Sequence, residues 1–426
     1  MSRVRTVLQV SLFSRSCPLL VVCALGASVL PAHANYRVKA TEATDYIQRS
    51  FYDEKEGLYR AAQPVDPKAL PYDFMWANGV QFPTLVGATK WQPERYGPAL
   101  AAFTTGLTRY WDKDAAVPGF DAYFSSKDGD DKYYDDNAWL VIGFAEAYQV
   151  TKDSNYLKWS RDTMNFVLSA WDEKLGGGLY WHQQKLESKN TCVIAPAIVG
   201  ILALYEAEGR KNKSDFDWAK KMYDWTNAHL QDTDGLYWDN INLDGKIEKT
   251  KWTYNTALMI RANLGLYRAT KDEKYLREAR RVSDASLVRW TDPQSGAFAD
   301  DARFNHLLSE ALLRTYDATK DVKYLNAVRR HADFGYRYVR DVRDGGYFNK
   351  WNARDRPADE RKLLIENAST ARLFWVLAPY LDTEELRAKG EESARRGDYR
   401  GALVWFNEAL NSTAGAAPTQ KPTATP

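Results

Sequence analysis

A glycine followed closely by aromatic residues recurs six times along the chain, at intervals of about 60 residues. The six stretches are GLY at Gly57, GFDAYF at Gly119, GLYW at Gly178, GLYWDN at Gly235, GAFADD at Gly296 and GYFNKW at Gly346. A second repeat, Thr-Lys, lies out of phase with the first, with its lysines at Lys90, Lys152, Lys271 and Lys320. Self-similarity at a fixed period indicates an architecture built from repeated units.

The segments between these two markers predict helices of two kinds. Two segments that are apolar on every side are typical of inner helices: NAWLVIGFAEAYQVT and APAIVGILALYEAEG. Two others with one apolar stripe and one charged face are typical of an outer layer: YLKWSRDTMNFVLSAW and YLREARRVSDASLVRW. Six units of inner helix, Thr-Lys turn, outer helix and glycine-aromatic loop predict an all-α fold, an (α/α)6 barrel. The alternative is an open solenoid of helical pairs, but six units complete a ring and the sequence shows no polar terminal caps.

The N-terminal segment differs in composition from the repeats. A basic start, the apolar run CPLLVVCALGASVL and the small-residue site AHA predict a signal peptide over residues 1–34 and a secreted or periplasmic protein. The apolar run is too short for a membrane span, and we expect no membrane anchor. Cys192 is then the single cysteine of the mature chain, which excludes an intramolecular disulfide.

The C-terminal segment also departs from the repeats. After a barrel domain over residues 35–382, residues 383–411 have the residue spacing of one tetratricopeptide repeat and predict a short helical hairpin. One such repeat cannot bury its own apolar face, so the hairpin should dock on the barrel, on another chain or on a protein partner. Residues 412–426 are rich in Pro, Thr and Ala and predict a disordered tail.

Composition excludes several classes of function. The chain has 58 basic and 56 acidic side chains, a balance that gives no reason to expect nucleic acid as a partner. The histidines of the mature chain are not spaced as metal ligands. The sequence has neither a Gly-x-Ser-x-Gly elbow nor a phosphate-binding glycine loop after a strand. We therefore expect no metal and no cofactor, and catalysis by carboxylates remains.

The carboxylate pair Asp135–Asp136 stands where a helix should begin, in the stretch DDKYYDDNAWL. Aspartate is a favoured N-cap, and a second one in the first turn complements the helix dipole, so a capping role is one interpretation. The pair is flanked by Tyr134 and Asn137 and enters one of the most apolar helices of the chain. Burial would raise the pKa of at least one carboxyl, and glycoside hydrolysis uses one ionised and one protonated carboxyl group.

Several stretches together resemble glycoside hydrolase family 76: DDKYYDDNAWLVIGFAEAY, LGGGLYWHQQ, SKNTC, DGLYWDNI and TKWTYNTALMIRA. This is the α-1,6-mannanase family of (α/α)6 barrels, and the resemblance runs from about Thr41 to Leu381. It implies hydrolysis of α-mannan with retained configuration and no metal, with Asp135 as nucleophile and Asp136 as general acid/base. The expected substrate contacts are Tyr134, Asn137, Trp181, Asn190, Trp238, Asp239, Tyr254 and Asn255.

Structural roles remain open for some of these residues. Asn190 and Asn255 could cap helices, and Trp181 and Trp238 could pack loop against loop instead of stacking on sugars. The fifth unit lacks the family's Lys-Gly before its helix, so the sugar and its linkage stay open; its Asp300–Asp301 pair is interpreted as a loop and a cap. Three other functions stay open: a glycan-binding relative, a transglycosylating relative, and another (α/α)6 sugar-active enzyme.

Overall fold

The computed structural model describes residues 35–123, 131–352, 357 and 359–413. The predicted signal peptide, residues 1–34, and residues 414–426 of the predicted tail lie outside these residues. Six inner helices are α2 (Met75–Trp91), α4 (Tyr134–Thr151), α6 (Thr191–Ala207), α8 (Thr253–Thr270), α10 (Asn305–Thr319) and α12 (Leu364–Leu377). Six outer helices are α1 (Tyr36–Ser50), α3 (Pro93–Leu107), α5 (Ser154–Leu168), α7 (Lys213–Leu230), α9 (Glu273–Trp290) and α11 (Val322–Phe334).

The inner helices form a closed ring. Each packs against the next in chain order, and α12 packs against α2. The outer helix α1, at the start of the fold, packs against α12, so the first and last helices complete one unit. Strand β3 (Ala62–Gln63) also pairs antiparallel with β9 (Lys362–Leu363), which joins the first loop to the last. The predicted (α/α)6 barrel is confirmed, and an open solenoid is excluded.

The Thr-Lys repeat marks the turn from an inner to an outer helix. Lys152, which ends α4, has a left-handed backbone with φ of 61°, and Lys271 and Lys320 do the same for α8 and α10. A residue with a left-handed backbone turns the chain away from the helix axis, so the residues after it do not continue the helical hydrogen bonds. The aspartate that follows then accepts hydrogen bonds as the N-cap of the outer helix, as Asp153 does for α5.

The glycine-aromatic repeat marks the turn from an outer helix back to an inner one. Gly178 has φ of 94°, which favours glycine, whereas a Cβ on Gly119 would lie 2.6 Å from the ring of Phe166. Since the inner helices all run in one direction, these loops lie together at one end of the barrel. They contain the short strands β1 (Tyr52–Asp53), β2 (Leu58–Tyr59), β4 (Trp111–Asp112), β5 (Gly119–Phe120), β6 (Ser188–Asn190), β7 (Asn240–Asn242) and β8 (Ile247–Glu248). Strand β1 pairs with β2, β4 with β5, and β7 with both β6 and β8.

The predicted C-terminal hairpin consists of α13 (Thr383–Arg395) and α14 (Tyr399–Asn411). It docks on the barrel: Arg329 of α11 pairs with Glu408 at 2.8 Å, and Arg330 donates to the Asn411 carbonyl at 2.8 Å. Its tetratricopeptide character, its binding of a protein partner and the domain boundaries stay predictions. In the part of the chain that the structure describes, no helix combines the length and apolar character that crossing a membrane requires.

Candidate active site

A cleft of about 500 Å³ opens at the glycine-aromatic end of the barrel. The starts of α2, α4, α6 and α8 and the loops around them form its walls. Six of the residues predicted from the sequence line it: Asp135, Asp136, Trp181, Asn190, Asp239 and Tyr254. Trp76, Trp139 and Cys192 also line it and were not among the predicted site residues.

Asp135 and Asp136 lie in the first turn of α4, and neither is its N-cap. That position belongs to Tyr133, whose side chain makes no capping hydrogen bond. The pair therefore lies at the positive end of the helix dipole without serving as its cap. Asp136 is buried and Asp135 is partly exposed to the cleft.

Asp135 is held by the neighbouring loop. The indole Nε1 of Trp181 donates to Asp135 Oδ2 at 3.0 Å. The main-chain N–H of Tyr134 donates to the Trp181 carbonyl at 2.9 Å, which fixes the two loops side by side. The thiol of Cys192, at the start of α6, also lies beside the Asp135 carboxylate.

The buried ring of His182 anchors the loop that carries Trp181. His182 Nδ1 accepts hydrogen bonds from the main-chain N–H groups of Gln184 and Lys185, at 3.0 and 3.1 Å. The ring proton therefore lies on Nε2, which donates to Asp131 Oδ1 at 2.7 Å. This tautomer links the end of the Trp181 loop to the segment that leads into α4.

The two catalytic candidates differ in electrostatic environment. Burial raises the pKa of Asp135 to about 6, opposed by the hydrogen bonds from Trp181 and from main-chain N–H groups. Burial raises the pKa of Asp136 well above its ordinary value, and the negative charges of Asp135 and Asp131 raise it further. Asp136 therefore holds its proton to a higher pH than Asp135 does, and Asp135 is the carboxyl that ionises first.

The opposite wall of the cleft is built from β7 and the start of α8. Asp239 accepts hydrogen bonds from Asn255 Nδ2 on one oxygen and from Asn240 Nδ2 on the other, both at 3.1 Å. Burial raises the pKa of Asp239. The ring of Tyr254 lies against Phe304 at 4.3 Å between centroids. Asn255 thus orients an acid that faces the cleft.

Four of the predicted contact residues do not line the cleft. Tyr134 points into the core, with its ring stacked on Phe166 at 4.8 Å. Asn137 Oδ1 accepts from the Phe120 N–H at 2.8 Å and its Nδ2 donates to the Phe120 carbonyl at 2.9 Å, which holds β5 against α4. Trp238 lies under Lys249, 5.4 Å from ring centroid to Nζ, and Asn255 lies behind Asp239.

The residues predicted as possible helix caps have clear geometry. Asn190 is the N-cap residue of α6, but its side chain makes no capping hydrogen bond. Asp300 accepts from the main-chain N–H of Thr253 at 2.8 Å, at the start of α8, and Asp301 caps a short 3-10 turn at Ala302–Phe304. Among the described residues no group of three His, Cys, Asp or Glu side chains could hold a metal ion.

A repeated ion pair, which we call the loop clasp, ties the loops at this end of the barrel. In four units a lysine two residues before an inner helix reaches back to an aspartate that follows the preceding outer helix. The pairs are Lys132–Asp112 at 2.8 Å, Lys189–Asp172 at 3.4 Å, Lys251–Asp234 at 2.7 Å and Lys362–Asp341 at 2.8 Å. The constant place of these lysines, two residues ahead of four of the inner helices, is a regularity that the sequence also contains.

Comparison with known proteins identifies a family and several structural relatives of the chain. The chain matches the model described as Glycosyl hydrolase family 76 over residues 36–334, more than half of its length. The structure of a GH76 α-mannanase from Bacteroides thetaiotaomicron has a TM-score of 0.75 and 27% identity, covering 81% of this chain and 96% of that one. The structure of an inactive α-1,6-mannanase from Salegentibacter sp., with two consecutive aspartates replaced by asparagine and α-1,6-mannotriose bound, has a TM-score of 0.70 and 22% identity, covering 81% and 99%.

Curated sequences are matched over shorter stretches. Mannan endo-1,6-alpha-mannosidase DCW1 of Candida glabrata is 28% identical over 145 residues, which are 31% of this chain and 32% of the relative. The chain spans about three fifths or less of the length of the curated relatives that it matches.

Proposed function

The chain belongs to glycosyl hydrolase family 76, and from this premise we propose that it is an exported retaining endo-α-1,6-mannanase. One observation carries the proposal: two consecutive aspartates lie in one cleft and in different electrostatic environments. Asp135 has a pKa of about 6 and a hydrogen bond from Trp181, whereas the pKa of the buried Asp136 is raised well above its ordinary value. This asymmetry supplies one nucleophile and one acid.

In the first step the Asp135 carboxylate attacks the anomeric carbon of a mannosyl unit. The bond from that carbon to the leaving oxygen breaks, and Asp136 gives its proton to this oxygen. The developing charge on the sugar lies beside the ionised Asp135.

In the second step Asp136, now a carboxylate, removes a proton from a water molecule whose oxygen attacks the same carbon. The bond to Asp135 breaks, Asp136 regains its proton, and the product keeps the α configuration. Three more residues line the same cleft and are proposed contacts to sugar hydroxyls and ring faces: Asp239, Tyr254 and Trp181. Asn255 orients Asp239.

The substrate assignment draws on the relatives. One bears the name mannan endo-1,6-alpha-mannosidase, one is called an α-mannanase, and one was solved with α-1,6-mannotriose. Export is proposed from residues 1–34, which combine a basic start, an apolar run and the small-residue site AHA at their end.

Incubation of the purified protein with α-1,6-linked mannan, followed by product sizing and by NMR of the new anomeric proton, tests the proposal. We expect shortened chains whose first-formed reducing ends are α, and loss of at least about 1,000-fold in kcat for Asp135→Asn and Asp136→Asn. Binding without cleavage would instead indicate a glycan-binding protein, and products longer than the substrate would indicate transglycosylation. Full activity of either variant would contradict the assignment of the pair.

A further inference from the structure

The loop clasp is replaced in two of the six units, and both flank the same inner helix. The residue two positions before α10 is Arg303, and the residue two positions before α2 is Asp73. Arg303 pairs with Glu366 of α12 at 3.1 Å and with Asp301 at 2.9 Å. Asp73 and Arg303 thus lie on either side of α12, with Glu366 between them.

This substituted arrangement buries charge at a cost. Glu366 is 1% exposed, and its Oε2 has no hydrogen-bond partner among the described residues. Burial raises the pKa values of Glu366 and of the neighbouring Asp73 to about 7. Buried acids without full pairing are destabilising, and a departure from a local rule that four other units obey indicates a functional demand.

The network acts on one tryptophan that lines the cleft. Trp76, the second residue of α2, faces the cleft, and the Arg303 guanidinium lies 5.5 Å from its ring centroid. Its ring stacks on Phe304, with centroids 5.6 Å apart and planes at 27°. Phe304 also stacks on Tyr254, so three rings make a continuous row from the α2 side of the cleft to the α8 side.

We propose that Trp76 is a platform for the apolar face of a hexopyranose at the α2 side of the cleft. Arg303, held by Glu366, is the positioning residue that fixes the plane of this ring. The face of an aromatic ring attracts the weakly positive C–H groups of a sugar, and a fixed plane orients the sugar without further hydrogen bonds. The fifth unit, through Arg303 and Phe304, thereby fixes the ring that forms this subsite. This inference rests on the proposed function, because it assigns a subsite of the same cleft.

Kinetics on α-1,6-mannooligosaccharides from the disaccharide to the hexasaccharide test the platform. For Trp76→Ala we expect KM to rise about tenfold on oligosaccharides long enough to reach the ring, and to stay within about twofold on the disaccharide. Trp76→Phe keeps an aromatic face and should restore most of the affinity. Trp252→Ala is the matched control, since Trp252 also packs against Phe304, at 6.1 Å, but does not line the cleft.

Arg303 is tested on the same substrates. Arg303→Ala should raise KM on the same oligosaccharides as Trp76→Ala does, but by a smaller factor. Arg303→Lys should restore part of the affinity lost in Arg303→Ala. Arg281→Ala, which removes an exposed pair with Glu278 on α9, should have no effect. A KM change of equal size on every length, or none for Trp76→Ala, would overturn the platform. If the wild type cleaves nothing, the proposed function fails, and calorimetric affinities over the same lengths still decide the platform.

Discussion

The indole Nε1 of Trp181 donates a hydrogen bond of 3.0 Å to Oδ2 of Asp135, across the gap between two consecutive loops of the barrel. The bond stabilises the ionised form of the carboxylate and opposes the effect of burial on its pKa. The loop before α6 therefore tunes a carboxyl group carried by α4.

Replacement of this indole should change the pH dependence of catalysis. The proposed mechanism needs Asp135 ionised, so activity should fall with an acidic limb near its pKa of about 6. Trp181→Phe removes the donor and therefore raises the pKa of Asp135. The acidic limb of the kcat/KM profile should move to higher pH by about half a unit to one unit. The shift is modest because Trp181 is half exposed. The check is kcat/KM from pH 4 to 9, with Trp252→Phe as control; an unmoved acidic limb would show that the bond has no electrostatic role.

Much of the fold could be predicted because the glycine-aromatic and Thr-Lys repeats are visible in the sequence. The left-handed lysines and the glycines at the loops recur where the chain must reverse, and each reversal is decided by local backbone chemistry. The closed ring of inner helices could then be predicted, because six repeated units complete a ring. The loop clasp went unrecognised because its lysines and aspartates look like ordinary surface charges until the loops are brought together.

The clasp should contribute strongly to stability where it is buried. Lys132 has no exposed side-chain surface and pairs with Asp112 at 2.8 Å and with Asp121 at 2.9 Å. Lys132→Met leaves two acids without this cation and should lower the free energy of unfolding by about 3 kcal/mol in denaturant titrations. The exposed Lys113–Asp114 pair supplies the control: Lys113→Met should leave the free energy of unfolding close to that of the wild type.

The same pair predicts a pH dependence of stability. The hydrogen bond from Lys132 lowers the pKa of Asp112. A carboxyl whose pKa is lower in the folded state stabilises the fold above its unfolded pKa, about 3.9, and this contribution is lost as the pH falls through the folded value. The stability gap between wild type and Lys132→Met should therefore narrow below about pH 4; a gap that is constant from pH 7 to 3 would contradict this origin.

The faces of α4 explain which site residues were hard to predict. Asp135 and Trp139 are four positions apart and share the cleft face. Tyr134 projects towards the core, and Asn137 projects towards the neighbouring loop that contains Phe120. Helical spacing separates the two sets, but the sequence alone does not say which face meets the cleft. Trp76 was missed for the same reason, since nothing in its own segment shows which face of α2 meets the cleft.

Asn137 should be a determinant of stability and not of affinity. It makes two hydrogen bonds with the main chain of Phe120, and Nδ2 makes a third to the Tyr133 carbonyl at 2.9 Å. Asn137→Ala leaves buried main-chain groups unpaired and should lower the free energy of unfolding by about 2–3 kcal/mol, with KM within about twofold of wild type. Calorimetric unfolding and KM measured below the unfolding transition separate the two roles, and a large rise in KM at unchanged stability would restore the substrate contact predicted from the sequence.

The attachment of the C-terminal hairpin should depend on one buried arginine. Arg329 Nε donates to the Leu381 carbonyl at 3.0 Å, and Nη1 pairs with Glu408 of α14 at 2.8 Å. Arg329→Met removes both bonds and leaves Glu408 without this cation, so the hairpin should open locally at a lower free energy, by about 2 kcal/mol. Limited proteolysis should then cut the turn between α13 and α14 about tenfold faster or more, while the barrel's activity is retained. Arg387→Met, which breaks an exposed pair with Glu384, is the control, and equal cleavage rates in both variants would show that the hairpin is held by its apolar contacts instead.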